Sequence, residues 1–302
     1  MNSECIMTIF TPTYNRAYIL KNAYESLIKQ NFKQFKWVIV DDGSTDGTKE
    51  TVESWILENK IRIQYIYQKN QGRFKAFNTA IPYFEGELEI TLDSDDYLLD
   101  NALDEIYLIW NNIPNKKNLS GIISYFEDEN FNIIGNEFPK NITYERSYVL
   151  YDKYKLKGDK FMIFRIDIIK QLSYKIYLGE RFGGDAILFN KINDLFPMYI
   201  IRKCFCHREY QKDSITNNLL KHHISSPKGI RDHYYDCIIH EKYNKINILK
   251  HTLGFISYSY LSNDSVSDIL KKTNRKILTL LLIIPGYVYK CILVLKNNIM
   301  KR

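Results

Sequence analysis

Four aspartates occur in the stretch TLDSDDYLLD: Asp93, Asp95, Asp96 and Asp100. They follow LEITL (88–92), a short apolar run that predicts a buried strand. Open α/β sheets bind ligands at the carboxyl ends of their strands. Because clustered carboxylates repel one another and hard cations such as Mg²⁺ and Mn²⁺ prefer oxygen ligands, the stretch is a candidate metal site. The alternative is an acidic turn, and for Asp100 we expect the role of helix N-cap.

Strands and helices alternate in the part of the chain that must position these aspartates. Apolar runs predict strands at 6–11, 36–40, 61–67 and 88–92. Helical patterns occupy 17–30, 49–59 and 70–84. This alternation implies a parallel sheet with right-handed crossovers. After Asp100 the pattern loosens, with strands predicted at 121–126, 160–165 and 198–203, a helix at 184–196, and mainly helices from Ser225 onward.

Polar residues also follow the first two predicted strands. Tyr14 offers a flat face on which a nucleotide base can stack, although it could also be an ordinary turn aromatic. Asp41 and Asp42 could accept hydrogen bonds from a base. Their alternative role is to cap the next helix, which Ser44 and Asp46 can already do.

After the third predicted strand, Gly72 permits close backbone approach to a ligand and Arg73 can meet a phosphate. The alternatives are a helix start for Gly72 and a surface charge for Arg73.

The ordered segments TPTYNR, VIVDDGSTDGT, NQGRFKAFN and LDSDD together resemble the inverting family 2 glycosyltransferases. The resemblance covers about residues 5 to 110 strongly and continues loosely to about 235. It implies the A-type, Rossmann-like nucleotide-diphospho-sugar transferase fold: an α/β fold with a mostly parallel central sheet flanked by helices, here with a helical C-terminal extension. It also implies a nucleoside diphosphate sugar donor and Mn²⁺ or Mg²⁺ as cofactor.

The resemblance assigns roles to residues of this chain. Asp95 would bind the metal. Asp93 would contact the ribose or share the metal with Asp95, and Asp96 would be an alternate metal ligand. The implied donor-binding residues are Thr11, Pro12, Tyr14, Asp41, Asp42, Gly72, Arg73, Asn78, Asp93 and Ser94.

Inversion at the anomeric carbon requires a base that takes the proton of the acceptor hydroxyl. The segment YLGERFGGDAILFNKI supplies Glu180 and Asp185. In the family a Glu–Asp pair often opens the helix here, but in this chain Gly184 replaces the glutamate. We prefer Asp185 as the base, with Glu180 as the alternative. Asp185 could also be only an N-cap.

Downstream, REYQKDSITNN resembles a stretch of bacterial polysaccharide-assembly members that could shape an acceptor pocket with His207 and Tyr210. The sequence has no Gln-x-x-Arg-Trp motif and no set of spanning helices, both of which processive synthases contain. We therefore expect one sugar to be added per encounter.

The net charge of +7 is concentrated at the end of the chain, because the segment from Ile269 to Arg302 holds eight basic residues and no acidic one. The apolar part, ILTLLLIIPGYVYKCILVL (277–295), is interrupted by Pro285 and Lys290, whereas a spanning helix needs ~20 mostly apolar residues. We expect an interfacial or re-entrant helix pair on an anionic membrane surface. A helix packed on the domain and a homodimer contact are the alternatives.

The N-terminus is unlike a signal peptide, and the five cysteines fit no disulfide framework, so we expect a peripheral protein on the cytoplasmic face of the cell membrane. The folded part lacks the basic excess of a nucleic-acid binder, so no nucleic-acid partner is expected. We predict a catalytic domain at 1–225, divided into a nucleotide-sugar half (1–110) and an acceptor half (111–225). A helical region at 226–302 follows it.

Together these patterns predict an inverting glycosyltransferase that moves one sugar from a UDP-linked donor to a lipid-linked oligosaccharide in capsule, exopolysaccharide or O-antigen synthesis. One alternative is a sugar-phosphate nucleotidyltransferase, although TPTYNRAY lacks the glycine-rich loop expected there. The other is a degenerate nucleotide-sugar-binding or scaffold protein, which the Gly184 replacement keeps open.

Overall fold

The chain forms two compact units in a computed structural model, which describes residues 4–209, 219–240 and 244–300. One unit, here called the sheet unit, comprises Met1–Ser173 and Lys191–Gln211. The other, the helical unit, comprises Tyr174–Asn190 and Lys212–Arg302. The domain boundary predicted after residue 225 stays a prediction.

A mixed sheet of nine strands forms the sheet unit. The strands are β1 (Met7–Thr13), β2 (Phe35–Asp41), β3 (Arg62–Tyr67), β4 (Leu88–Thr91), β5 (Asp96–Leu98), β6 (Gly121–Glu127), β7 (Tyr144–Glu145), β8 (Lys160–Arg165) and β9 (Met198–Arg208). Their order is β3-β2-β1-β4-β8-β6-β9-β5, and β7 also pairs with β9.

Strand direction determines which residues meet at one side of the sheet. Strands β1 to β4 are mutually parallel, β8 is antiparallel to both β4 and β6, and β6 is parallel to β9. Six strands therefore end at the same side, here called the carboxyl edge, and β8 begins there. The fold class predicted from the sequence is confirmed: the first four strands form its parallel half, while the whole sheet is mixed.

Helices α1 (Ala17–Lys29), α2 (Thr48–Glu58), α3 (Arg73–Ala80), α4 (Ala102–Asn112), α5 (Ser147–Asp152) and α6 (Ile166–Ile169) complete the sheet unit. Strand β2 is buried along its whole length, as expected for a strand covered on both faces. Its Trp37 stacks with Tyr24 of α1 and Trp55 of α2, and the Tyr24 and Trp55 ring centroids are 4.3 Å apart. This aromatic stack anchors two helices on the sheet.

The strands and helices predicted in the first hundred residues are confirmed, with two local differences. The helix predicted at 70–84 is shorter: Gly72 at φ 91° precedes α3, and Pro82 lies in a separate 3₁₀ turn, Ile81–Tyr83. The prediction that Asp100 caps the next helix is wrong, because Asn101 occupies the N-cap at φ 60° without a side-chain cap. The amide of Leu103 in the first turn of α4 instead donates to Gln30 at 3.0 Å.

The helical unit contains α8 (Leu219–Ser225), α9 (Pro227–His240), α10 (Lys245–Leu261), α11 (Val266–Lys272) and α12 (Lys276–Met300), and α7 (Asp185–Leu195) begins in it. Ile238, Phe255, Ile256 and Ile269 form one of its apolar cores. A Cβ on Gly254 of α10 would lie 2.6 Å from the Tyr234 ring, so α9 and α10 approach closely at this glycine.

Helix α12 continues through Pro285, so the predicted pair of helices split at this proline is wrong. An interior proline costs roughly 3 kcal/mol because a backbone hydrogen bond is lost and the ring crowds the preceding turn. Packing on α10 offsets that cost. Ser257 donates to the Gly286 carbonyl at 2.8 Å, and a Cβ on Gly286 would lie 2.4 Å from Ile256.

Candidate donor site at the carboxyl edge

The end of β1 is tied to its neighbours through Thr11. The Thr11 hydroxyl donates to the Leu92 carbonyl at 2.7 Å and accepts from the Trp37 indole at 2.9 Å. Thr11 is fully buried and therefore fixes the spacing of β1, β2 and β4. Pro12 follows within β1, and the Tyr14 side chain just beyond the strand is 48% exposed.

The two aspartates after β2 organise the neighbouring loops. Asp41 accepts from the Ser44 amide at 2.7 Å and from the Tyr65 hydroxyl at 2.7 Å. Asp41 therefore ties the loop after β2 to β3, which differs from the helix-capping role that was the alternative for this pair. Gly47 occupies the N-cap of α2, and Asp46 just before it accepts from the Thr48 amide and hydroxyl.

Asp42 is buried and holds the loop between β3 and α3. Its carboxylate accepts from the Gln68 amide side chain and from the backbone N–H groups of Gln71 and Gly72, at 2.7, 2.8 and 2.7 Å. A contact of Asp42 with a nucleotide base stays a prediction.

Arg73, in the first turn of α3, connects this loop to the aspartate cluster. Its guanidinium donates to Asp93 Oδ1 at 3.1 Å. Asn78 lies farther along the same helix and is half-buried. Ser94 is buried between Asp93 and Asp95. Apart from Asn78, which lies on α3, the predicted donor-site residues of the sheet unit therefore lie at or just beyond the ends of β1 to β4, at one edge of the sheet.

The aspartate cluster contains an arginine that sequence reasoning missed. Arg208 ends β9, and the register of β5 and β9 pairs it directly with Asp96. Its Nε and one terminal nitrogen donate to Asp96 Oδ2 at 3.2 and 3.1 Å, and its other terminal nitrogen donates to Asp159 at 2.7 Å. The guanidinium also lies 3.5 Å from Asp93 Oδ2 and 3.9 Å from the centroid of Phe126.

Burial shapes the charge of this cluster. Asp96 is 2% exposed, and this burial raises the pKa of its carboxyl, with Arg208 opposing the shift and Asp93 and Asp95 adding to it. Burial likewise raises the pKa of the Asp95 carboxyl, and the neighbouring Asp93 carboxylate adds to that shift. Arg208 and Arg73 therefore carry part of the neutralisation that the sequence assigned to a metal.

The carboxylates supply the hard oxygen ligands that a cation shared with a nucleotide would need. Within the described ranges, no group of three or more His, Cys, Asp or Glu side chains is arranged to hold a metal. A nucleotide-bound Mg²⁺ usually needs only one or two protein carboxylates, because phosphates and waters complete its shell. Asp95 and Asp93 offer that number of ligands, while the Oδ2 atom of Asp96 faces Arg208.

Both base candidates lie in the helical unit and have different surroundings. Asp185 is the first residue of α7. The Glu180 carboxylate accepts from the backbone N–H groups of Lys228 and Gly229 at 3.1 and 2.8 Å, in the first turn of α9. Glu180 thus satisfies amides that would otherwise have no intrahelical partner.

His207 lies on β9, one residue before Arg208. Its ring stacks on Tyr97 with centroids 4.5 Å apart, and its Nδ1 is 3.6 Å from a carboxylate oxygen of Glu127. Tyr210 and the rest of the proposed acceptor stretch, 210–218, lie outside the described residues.

Comparison with known proteins decides the family. The family described as "Glycosyl transferase family 2" matches residues 8–173. This chain is a member of glycosyl transferase family 2. That match includes the ends of β1 to β4 and every donor-site position predicted above.

A curated relative of this family 2 chain is the GalNAc(5)-diNAcBac-PP-undecaprenol beta-1,3-glucosyltransferase of Campylobacter jejuni. It is 26% identical over 222 residues, which are 70% of this chain and 67% of the relative. Other curated relatives are matched over only 30% and 34% of their own lengths.

Solved structures share the fold. TarS 1–349 of Staphylococcus aureus in complex with UDP-GlcNAc has a TM-score of 0.61 at 19% identity, covering 93% of this chain and 79% of that one. The mannosyltransferase PcManGT of Pyrobaculum calidifontis, in complex with GDP-Man and Mn²⁺, has a TM-score of 0.56 at 16% identity, covering 97% and 85%. At these identities the likeness establishes the family 2 chain's fold.

Proposed function

We propose that this chain is an inverting glycosyltransferase that moves one sugar from a UDP-linked donor to a lipid-linked glycan. The setting would be the assembly of a bacterial polysaccharide, with capsule, exopolysaccharide and O-antigen as the candidates. The main support is the arrangement of residues at the carboxyl edge. There, Asp42, Arg73 and Asp93, which follow three different strands, form one hydrogen-bonded group with the Gly72 loop. Relatives acting on an undecaprenol-linked glycan and binding UDP-GlcNAc support the acceptor and donor classes.

The donor would lie across the ends of β1 to β4. Tyr14 has an exposed face for stacking against the base. Asp42 holds the backbone of Gly72 in a conformation with φ 91°, which leaves this loop close to where a phosphate would pass. Arg73 would bind the diphosphate through its planar fork of donors.

In the transfer step, a base takes the proton of the acceptor hydroxyl. The acceptor oxygen then forms a bond to the anomeric carbon on the face opposite the leaving group. The bond from that carbon to the β-phosphate oxygen breaks, and its electron pair leaves with the nucleoside diphosphate. We assign the base to Asp185, the first residue of α7, and keep Glu180, whose carboxylate accepts from two backbone amides of α9, as the alternative.

A divalent cation, Mn²⁺ or Mg²⁺, would supply charge neutralisation on the departing diphosphate. Asp95 and Asp93 are its proposed ligands, with Asp96 as the nearby alternate. A solved mannosyltransferase that shares this fold is in complex with GDP-Man and Mn²⁺, which supports a divalent cation as the cofactor.

Membrane association would use the outer face of α12. By length and composition this helix could cross a bilayer, although one such helix is weak evidence of a membrane span. Thr279, Gly286, Leu293 and Asn297 form its buried side. The opposite side is an exposed apolar stripe, here called the α12 stripe, made of Ile277, Leu281, Ile284, Val288, Ile292, Leu295 and Ile299.

Because α12 packs on α10 along its buried side, we propose that it lies in the membrane interface rather than crossing it. Two exposed basic residues near its ends, Lys276 and Lys296, would then contact anionic lipid head groups.

The deciding experiment measures UDP release from a panel of UDP-sugars, with and without Mn²⁺ and an undecaprenyl-linked acceptor. We expect metal-dependent release that the acceptor accelerates. A degenerate binding protein would bind the nucleotide sugar and release nothing. A nucleotidyltransferase would instead form UDP-sugar from UTP and a sugar 1-phosphate.

A further inference from the structure

Arg208 has a position that a purely structural ion pair does not require. Its guanidinium is close to three carboxylates, those of Asp93, Asp96 and Asp159, and its side chain is only 18% exposed. Two of these carboxylates belong to the cluster proposed to receive the metal and the diphosphate. The β5–β9 register and the Phe126 ring hold the guanidinium there.

Asp93 is shared between two arginines. Arg73 lies 3.1 Å from its Oδ1 and Arg208 lies 3.5 Å from its Oδ2. A cation that bound Asp93 would therefore compete with at least one guanidinium for a carboxylate oxygen. Arg208 is the more weakly bonded of the two at Asp93, and its stronger contacts are with Asp96 and Asp159.

We propose that Arg208 is the internal counter-ion of the metal site and a catalytic residue for the departing diphosphate. Without donor, its charge stabilises the buried carboxylates. With the donor and its cation bound, Arg208 would give up its contact with Asp93, which would then be free to act as a metal ligand. The guanidinium would instead donate to the β-phosphate, where negative charge grows as the bond to the sugar breaks. This inference rests on the proposed function.

The two parts of the role have opposite signatures. Removing the charge of Arg208 removes a competitor of Mn²⁺ and leaves the carboxylates more attractive to it. Binding of Mn²⁺ alone should therefore tighten by about tenfold or more, as expected when a unit charge a few ångströms away is removed. The same change removes a donor to the leaving group, so turnover should fall by ~100-fold. A residue that only maintains the fold would weaken both.

Lys203 provides a matched control because it lies on the same strand. It pairs with Glu105, remains 54% exposed, and contacts none of the cluster carboxylates. Lys203→Gln therefore removes one positive charge from β9 without touching the site.

The test compares Arg208→Gln, Arg208→Lys and Lys203→Gln with the wild-type chain. Mn²⁺ alone is titrated and its free fraction read by electron paramagnetic resonance, and UDP release is measured separately. We expect tighter Mn²⁺ and slower release in Arg208→Gln, an intermediate result in Arg208→Lys, wild-type behaviour in Lys203→Gln, and partial recovery of Arg208→Gln turnover by added guanidinium.

Unchanged or weaker Mn²⁺ binding in Arg208→Gln, or turnover equal to wild type, would overturn the inference. If Arg208→Gln unfolds, Arg208→Lys provides the folded comparison, because lysine keeps the charge but lacks the planar fork of donors that reaches several oxygens at once. Equal turnover and equal Mn²⁺ affinity in Arg208→Lys would then overturn the inference. Failure of the proposed function has a different signature, since the wild-type chain itself would then release no UDP.

Discussion

Glu89 should make the stability of this chain fall as pH rises from mildly acid to mildly basic. It lies in the middle of β4, between Thr8 on β1 and Phe164 on β8, and is 1% exposed. Its Oε1 accepts from the Thr91 hydroxyl at 2.6 Å, whereas its Oε2 is buried without a hydrogen-bond partner among the described residues. Burial raises the pKa of the carboxyl to about 8, against an ordinary value of 4.5.

The direction of this change in stability follows from proton linkage. Between the two pKa values the unfolded chain releases the proton while the folded chain keeps it, so rising pH favours unfolding. The stabilising effect of the retained proton is complete below about pH 4.5 and is lost as pH rises toward about 8. Since each pH unit in this window changes the free energy of unfolding by ~1.4 kcal/mol, a step from about pH 5 to 7.5 should remove roughly 3 kcal/mol.

The measurement is urea unfolding of the wild-type chain and Glu89→Gln at both pH values. Glutamine cannot titrate, so the extra loss of roughly 3 kcal/mol should disappear in the variant, whatever its absolute stability. Glu87→Gln is the matched control, because Glu87 is two residues away, 41% exposed and paired with Lys116. Equal pH dependence in wild type and Glu89→Gln would show that Glu89 is ionised in the folded chain and refute the reasoning.

Three further predictions concern the proposed activity. Asp95→Asn should lower transfer by roughly 100-fold or more and weaken Mn²⁺-dependent UDP binding, both measured beside a circular dichroism spectrum; wild-type turnover at saturating Mn²⁺ would remove Asp95 from the ligands. Asp185→Asn should abolish transfer with nearly unchanged donor affinity, while Glu180→Gln should mainly lower the melting temperature; the reverse ranking makes Glu180 the base. Ile284→Glu and Val288→Glu in the α12 stripe should reduce sedimentation with anionic liposomes, unlike a matched change at exposed Leu57 of α2; unchanged sedimentation refutes the membrane face.

The parallel half of the fold was predictable because each of its elements has a local pattern. Strands β1, β2 and β4 are short apolar runs, and the turn residues that follow them sit where parallel strands must end. The donor-site positions in the first hundred residues could therefore be placed at one edge of the sheet from the amino-acid sequence alone.

Arg208 could not be placed in the same way. Its proximity to Asp96 depends on the pairing of β5 with β9, residues more than a hundred positions apart in sequence. Strand β5 is three residues long and has no periodicity of its own. Only the register of β9, which continues to Arg208 past the predicted end at 203, brings the arginine to the aspartates. The only signal in the sequence was a basic residue at the end of the stretch CFCHR (204–208).

The replacement of the family's glutamate by Gly184 has a physical explanation in the helical unit. A Cβ at Gly184 would lie 2.3 Å from the His233 ring, so no side chain fits there while His233 keeps its position. The segment before Asp185 is also fastened to α9, since the Ser226 hydroxyl accepts from the amides of Arg181 and Phe182. The start of α7 is thus packed against a histidine of α9, and this close packing explains why a glycine occupies position 184 in this chain.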